Sequence, residues 1–491
     1  MKKVITTKSK LDSKENVIGA LWNPENTFAI APGHSSSIKL KKQTHANHNE
    51  NEKENLESKH IPGKKKEGEH AHEGIEKNKP EHTVFTEIVE RILHAKGNTP
   101  YVAQKYYIPF NYVPPGGTAS AYNYIQGIGS GNNVGEFTLV GTTGANVLAA
   151  GTYGTIFQGK LESASTSTTS GGTGTWTTMV VPQTFNSLGT SIYGVHNRGD
   201  KIYTLSGSYV SKDLTVTVPS GPIAGTYNQT LGWYYTGAIS TTPDATNFKS
   251  FQAKGLNTAT GQIGKADETY MHSISGNAIV GCYDFFGEGA QGGHGFVLDL
   301  LTGQQADLNF GHGYQSSAYA VWEAGKDDYV IAGGRTTLIP SSDPFTPGFL
   351  SSGRAIGEAV LSDYSLSGKT LSNIKTYQYQ YKDAVGNTVQ ADETHFEGIY
   401  YCGNEIYETA FTAIIKNQVN LPVVGGVAFV KRDANGVFGD ATWYAFDSPS
   451  GTTIAGNDSV WGNVSVGLQV PSGTTTSSTY ACELNLAQPL A

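Results

Sequence analysis

The chain repeats a stretch of itself. Residues 266–274 read Ala-Asp-Glu-Thr-Tyr-Met-His-Ser-Ile, and residues 391–399 read Ala-Asp-Glu-Thr-His-Phe-Glu-Gly-Ile, 125 positions later. The likeness continues into Gly276-Asn277-Ala278-Ile279 and Gly403-Asn404-Glu405-Ile406. Self-similarity at a long, fixed period means an array of like units, each burying an apolar face against the next.

The units are built of strands. Residues 191–196 (Ser-Ile-Tyr-Gly-Val-His) are apolar and run into the turn Asn197-Arg198-Gly199-Asp200. Residues 201–209 then alternate as a strand, and residues 232–236 and 248–252 supply a third and a fourth. Residues 317–322, 328–334 and 355–361 follow the same order, and Gly199 to Gly207 matches Gly325 to Gly333 in spacing. Comparable runs begin near residues 124, 273, 396 and 460. The 60 glycines and the abundant Thr, Ser and Tyr fit an all-β body with many tight turns. Six units of about four strands each predict a six-bladed β-propeller over residues 104–487.

Two details sharpen this expectation. The sixth unit exhausts the chain after its third strand, while residues 105–114 form a strand before the first unit. The N-terminal strand is therefore predicted to close the last blade, which removes a free sheet edge. Units two, four and six also open alike, as do one, three and five, so a pair of blades is the expected ancestral unit.

The phrases Tyr-Ala-Val-Trp (319–322), Ile-Ala-Gly-Gly (331–334) and His-Phe-Glu-Gly-Ile (395–399) resemble a propeller-type β-repeat family of bacteria and large DNA viruses. The resemblance covers about residues 105–485 and implies the fold alone.

The first hundred residues are different. Residues 1–82 are a Lys-, Glu-, Asn- and His-rich segment with too little apolar surface to offset its ordering entropy, and they read as a disordered tail. Within residues 83–96, Val84, Phe85, Ile88, Val89, Ile92 and Leu93 share one face of a predicted helix, stopped by Gly97 and Pro100. That face either packs on the body or docks a partner or a second copy.

Charge and motifs exclude several functions. Residues 1–100 carry 17 basic and 14 acidic side chains, and residues 101–491 carry 17 and 28, a net of −11. A body of that sign is a poor nucleic-acid surface. No apolar run approaches a membrane span, and no apolar stretch follows the basic start, so no secretory signal is expected. The missing signal points to the cytoplasm by default, whereas the Gly-, Thr- and Ser-rich body is in keeping with a cell-surface or virion protein. Cys282, Cys402 and Cys482 have neither disulfide nor metal spacing. No metal or cofactor motif is present.

The candidate ligand-binding residues are Asp267, Glu268, His272, Asp392, Glu393, His395 and Glu397. They lie in the repeated acidic stretch, at or just before the predicted innermost strands, where loops meet the channel mouth. Two readings compete. The acidic-Thr turn caps a strand start by bonding nearby backbone, or paired carboxylates from two blades face each other as a glycosidase needs. His294 and His312, each between glycines, read as loop histidines, and the row Tyr377, Tyr379, Tyr381 serves either blade packing or stacking on a ligand. The function expected is a non-enzymatic binding or structural module with a protein or glycan partner. The alternative is a carbohydrate-active, glycoside hydrolase-like propeller using the paired carboxylates.

Overall fold

The structure is a computed structural model describing residues 103–107, 112, 122–144, 151–162, 172–218, 225–286, 288, 293–311, 315–339, 354–382, 385–415, 423–449, 451–472 and 478–485. The predicted tail at 1–82, the predicted helix at 83–96 and His312 lie outside these residues.

Strand β1 (Ala103–Tyr107) leads the chain. β2 (Tyr122–Ser130), β3 (Phe137–Gly144), β4 (Tyr153–Leu161) and β5 (Gly172–Met179) then form a four-stranded antiparallel meander. β6 (Ser187–Gly199), β7 (Ile202–Val218), β8 (Gly225–Gly237) and β9 (Phe248–Phe251) follow in the same order. After a hairpin of β10 (Lys254–Asn257) and β11 (Gln262–Lys265) come β12 (Glu268–Ser275), β13 (Ala278–Asp284), β14 (His294–Asp299) and β15 (Gln304–Leu308). These two meanders form one eight-stranded sheet, joined by a parallel bridge between Thr230 and Glu268.

β16 (Ser316–Glu323), β17 (Asp328–Ile339), β18 (Arg354–Ser365) and β19 (Thr370–Tyr377) make the next sheet. A second hairpin, β20 (Gln380–Lys382) and β21 (Thr388–Gln390), precedes β22 (Glu393–Gly403), β23 (Ile406–Ile414), β24 (Val423–Arg432) and β25 (Phe438–Ala445). β26 (Thr452–Trp461), β27 (Val464–Pro471) and β28 (Ser478–Asn485) have three strands of their own. Their fourth is β1, antiparallel to β28 from Ala103 opposite Asn485 to Tyr107 opposite Ala481. The N-terminal strand thus joins the C-terminal sheet, as expected.

The packing is propeller-like. Each meander runs outward from its first strand, and β2, β6, β12, β16, β22 and β26 lie one against the next, with β26 returning to β2. Apolar clusters fill the spaces between successive sheets. Val140 and Ile156 meet Leu205 and Trp233; Tyr234 and Phe251 meet Met271 and Phe296; Val280 and Val297 meet Val321 and Ile331. Further on, Val330 and Leu361 meet Phe396 and Phe411; Phe429 meets Val460 and Tyr480; and Val466 and Ala481 meet Ile125 and Phe157. An antiparallel sheet with both faces buried against neighbours needs apolar residues on both faces. The inner strands are accordingly buried on both faces, β23 over all but its last residue. Each fully buried side chain of the size of Trp233 or Phe396 contributes about 1.5–3 kcal/mol.

The tyrosine row resolves toward packing. Tyr377 is buried against Phe396, and Tyr379 stacks near Phe411 and Trp443 between two sheets. His294 is no loop histidine. It opens β14, lies flat on Tyr283 with ring centroids 4.9 Å apart, and bonds Glu288.

Candidate functional site at the axis

One local feature recurs in β2, β6, β12, β16, β22 and β26, the first strand of each meander. The pairing register slips by one residue between Ile125 and Gly127, Ile192 and Gly194, Met271 and Ser273, Ala318 and Ala320, Phe396 and Gly398, and Asn457 and Ser459. Each slip inserts one extra residue into the strand and re-aims its side chain, as a β-bulge does. The six bulged residues are Gln126, Tyr193, His272, Tyr319, Glu397 and Asp458.

Local sequence explains the bulges. The residue paired just before the slip faces a glycine on the second strand in five of the meanders: Gly141, Gly207, Gly281, Gly333 and Gly467. A Cβ there would lie 1.9–2.3 Å from a carbonyl oxygen of the bulged strand, so no larger residue fits. Phe411 takes this place in the fifth sheet. The residue after each bulge is small because the next innermost strand presses on it. A Cβ on Gly127 would meet the Tyr193 carbonyl, one on Gly194 the backbone of His272 and Ser273, and one on Gly398 the Cα of Ser459. Equivalent residues meet at equivalent levels, so the innermost strands run in the same direction and the bulged side chains form one layer.

Neighbouring first strands pack against one another around the circuit. Gln126, His272, Tyr319 and Glu397 remain half-buried, whereas Tyr193 and Asp458 are buried. Around this layer, His272 stacks on Tyr193 with centroids 5.5 Å apart. Tyr319 meets His272 edge-on at 4.8 Å and lies 5.4 Å from His395. The His395 Nε2 is 2.5 Å from Glu397 Oε1, and its Nδ1 is 3.7 Å from Glu393 Oε1. The circuit continues at Asp458, whose Oδ1 accepts the hydroxyl of Tyr124 at 2.6 Å. Gly334 and Gly357 on the preceding sheet leave room for His395 and Glu393, because a Cβ on either would meet those side chains at 2.9 and 2.4 Å.

Toward the C-terminal ends of β16, β22 and β26, three rings from three sheets come together. Trp322, Tyr400 and Trp461 lie 5.2–5.7 Å apart pairwise.

The electrostatics centre on His395. Burial works against its charged form, but the Glu397 and Glu393 carboxylates outweigh that and hold its pKa above the ordinary histidine value. Glu393 is pushed up by burial, with His395 opposing and Glu397 reinforcing the shift. Both carboxylates therefore grip one imidazole.

The seven residues expected from sequence divide into two groups. His272 and Glu397 are bulged residues of the axial layer, and Glu393 and His395 join it through Glu397 and Tyr319. Asp267 is part of a strand cap. Its Oδ2 accepts the Phe286 N–H at 2.9 Å and its Oδ1 accepts Gln229 Nε2 at 3.0 Å. Burial raises the Asp267 pKa, those two hydrogen bonds oppose it, and Glu288 adds to it. Glu268 opens β12 and makes the bridge to Thr230. Asp392 donates its N–H to the Ile414 carbonyl at 2.8 Å and accepts the Gly357 N–H at 3.0 Å through its own carbonyl. The threonines of the repeated motif do matched work. Thr269 Oγ1 accepts the Ala253 N–H at 3.1 Å, and Thr394 Oγ1 accepts the Tyr379 N–H at 3.0 Å.

Gln126, Tyr193, Tyr319 and Asp458 were not among the residues expected to bind. Their signal is a triplet in each unit, with any residue between a pairing residue and a small one: Ile-Gln-Gly, Ile-Tyr-Gly, Met-His-Ser, Ala-Tyr-Ala, Phe-Glu-Gly and Asn-Asp-Ser.

No protein-family model matches the sequence, and no curated protein does either. Among solved structures, the chain is similar to Trypanosoma rangeli sialidase in complex with sialic acid, at 9% identity and a TM-score of 0.38, covering 79% of this chain and 59% of that one. A second structure of Trypanosoma rangeli sialidase is similar at 9% identity and 0.42, covering 79% and 60%. The chain is also similar to polysaccharide lyase Uly1, at 11% identity and 0.33, covering 80% and 94%. It spans about three-fifths of the length of the sialidase structures it matches. Likenesses of this strength bear on neither substrate nor chemistry.

Proposed function

We propose that the chain is a six-bladed propeller acting as a non-enzymatic binding module, which takes a small, hydroxyl-rich ligand such as a saccharide at its axis. Six blades are supported by the six meanders and by the unbroken circuit of innermost strands. The matched clamps of Thr269 and Thr394 support a unit of two blades.

The observation that carries the binding reading is the axial layer. Its half-exposed members are Gln126, His272, Tyr319 and Glu397. They offer amide, imidazole, phenol and carboxylate groups, and no lysine or arginine is among them. Such a set of neutral donors and acceptors with one carboxylate pairs with hydroxyls. Binding sites of this kind are concave, pre-formed and equipped with a few fixed polar groups, and the bulges fix these four.

The hydrolase reading is weaker. A glycosidase holds two carboxyl groups on either side of the scissile bond, about 5–10 Å apart. Here Asp267 serves as a cap, while Glu393 and Glu397 turn to the same imidazole.

Ligand-detected NMR with a panel of neutral hexoses, hexosamines and uronic acids tests the proposal. At least one sugar should bind the full chain, and Glu397→Gln and Tyr319→Ala should each weaken it by about tenfold, or 1.4 kcal/mol. No binding by any member sinks the reading. Release of an aryl glycoside's leaving group, lost in Glu393→Gln, would establish the hydrolase instead.

A further inference from the structure

We propose that Cys282 is a reactive thiol with His272 as its base, open to small uncharged electrophiles and disulfides that enter along the axis. The three cysteines differ sharply in surroundings. Cys402 and Cys482 are fully buried, and burial pushes the Cys402 thiol well up and the Cys482 thiol up to about 12. Cys282 is the half-exposed one.

Its sulfur lies 3.6 Å from His272 Nε2, within the longer reach of a hydrogen bond that involves sulfur. The pair belongs to the axial architecture. Cys282 follows Gly281 on β13 as Ser208 follows Gly207 on β7, and in that earlier meander the bulged Tyr193 hydroxyl meets Ser208 Oγ at 2.6 Å. The second-strand site that receives the bulged side chain thus holds a hydroxyl in one meander and a thiol in the next. His272 is also held in orientation. Tyr193 covers one face of the ring, with 27° between planes, and Tyr319 stands against it at 87°. The rings facing the imidazole are thus Tyr193 from β6, Tyr319 from β16 and Tyr270 from its own strand. A positioned base beside a solvent-reached thiol is the arrangement that raises thiolate reactivity.

The chemistry balances as follows. His272 Nε2 takes the Cys282 proton as the sulfur attacks. With an alkyl halide, a C–S bond forms, halide leaves with the bonding pair, and the imidazolium returns its proton to solvent. With a small disulfide, Cys282 forms a mixed disulfide while the incoming S–S bond breaks. The departing thiolate then takes the imidazolium proton, so Cys282 is oxidised as the departing sulfur is reduced.

Alkylation of the full chain by iodoacetamide, followed cysteine by cysteine by peptide mass spectrometry, tests this. Folded Cys282 should react at least about tenfold faster than Cys402 and Cys482, and faster than Cys282 itself in the urea-unfolded chain. His272→Gln should slow it by about tenfold while leaving the rates of Cys402 and Cys482 unchanged. Reaction of folded Cys282 slower than in the unfolded chain overturns the proposal, as does an unchanged Cys282 rate in His272→Gln. The comparison of folded with unfolded parent decides the matter even if the variant does not fold.

Discussion

The hydroxyl of Tyr124, on the first innermost strand, donates to Asp458 Oδ1, on the last, across 2.6 Å of buried space and 334 residues of chain. The bond lies on the seam where the two ends of the array meet. Beside it, Thr479 Oγ1 accepts the Ile125 N–H at 3.1 Å. Tyr124→Phe keeps the ring and removes the donor, leaving a buried carboxylate short of one hydrogen bond. The variant should lose about 1–3 kcal/mol of stability, read as a lower urea midpoint. An unchanged midpoint would mean that water or another donor satisfies Asp458 equally well.

The bulges make a steric prediction. Gly281 pairs with Met271 just before the third bulge, and its Cβ would lie 1.9 Å from the Tyr270 carbonyl oxygen. Gly281→Ala must displace backbone and should cost roughly 1–3 kcal/mol. Gly264→Ala is the control, because the nearest atom to its Cβ is Phe285 Cε1 at 4.0 Å. It should be neutral or stabilising by about 0.5 kcal/mol. Thermal melts of the two variants side by side check both statements, and equal losses would remove the steric account of the bulge.

The architecture was more legible in the sequence than the site. Strand order followed from runs such as residues 201–209 and 328–334, because strand pairing and turn chemistry are local. The place of β1 followed from counting strands in the last unit. The site depends on register slips, and a slip is set by what a second strand allows. Ile-Tyr-Gly and Met-His-Ser look like ordinary strand segments until Gly207 and Gly281 are placed opposite them. Asp267 misled for a related reason. A carboxylate in a repeated motif reads alike as cap or ligand until its acceptors meet the Phe286 N–H and Gln229.

Glu288 gives a pH dependence at the acid end. Burial works to raise its pKa, but hydrogen bonds from His294 and from the Thr258 N–H and hydroxyl outweigh that and hold it below the usual value. A carboxyl depressed in the folded state contributes stability that is full above its unfolded pKa. That contribution is lost as pH falls through the folded value. Stability of the parent should therefore drop below about pH 4.3, and part of that drop should vanish in Glu288→Gln. At pH 7 the same variant should be weaker by about 1–3 kcal/mol. Urea midpoints across pH 3–7 would show both, and parallel curves for parent and variant would remove Glu288 from the account.

Glu408 has the opposite sign. Its side chain is fully buried on β23, 4.0 Å from the Cys402 sulfur, and its Oε1 has no hydrogen-bond partner among the described residues. Burial raises its pKa well above the ordinary value. Below the unfolded pKa both states are neutral and folding is unpenalised. As pH rises from there toward the folded pKa, the unfolded chain ionises while the folded chain stays protonated, so stability falls, by at most about 1.4 kcal/mol per pH unit. Glu408→Gln keeps the shape and abolishes the titration. It should match or fall below the parent near pH 4 and gain on it steadily toward neutral pH. A parent whose stability does not decline relative to Glu408→Gln above pH 5 would show that the buried carboxyl is ionised and paired in the folded protein.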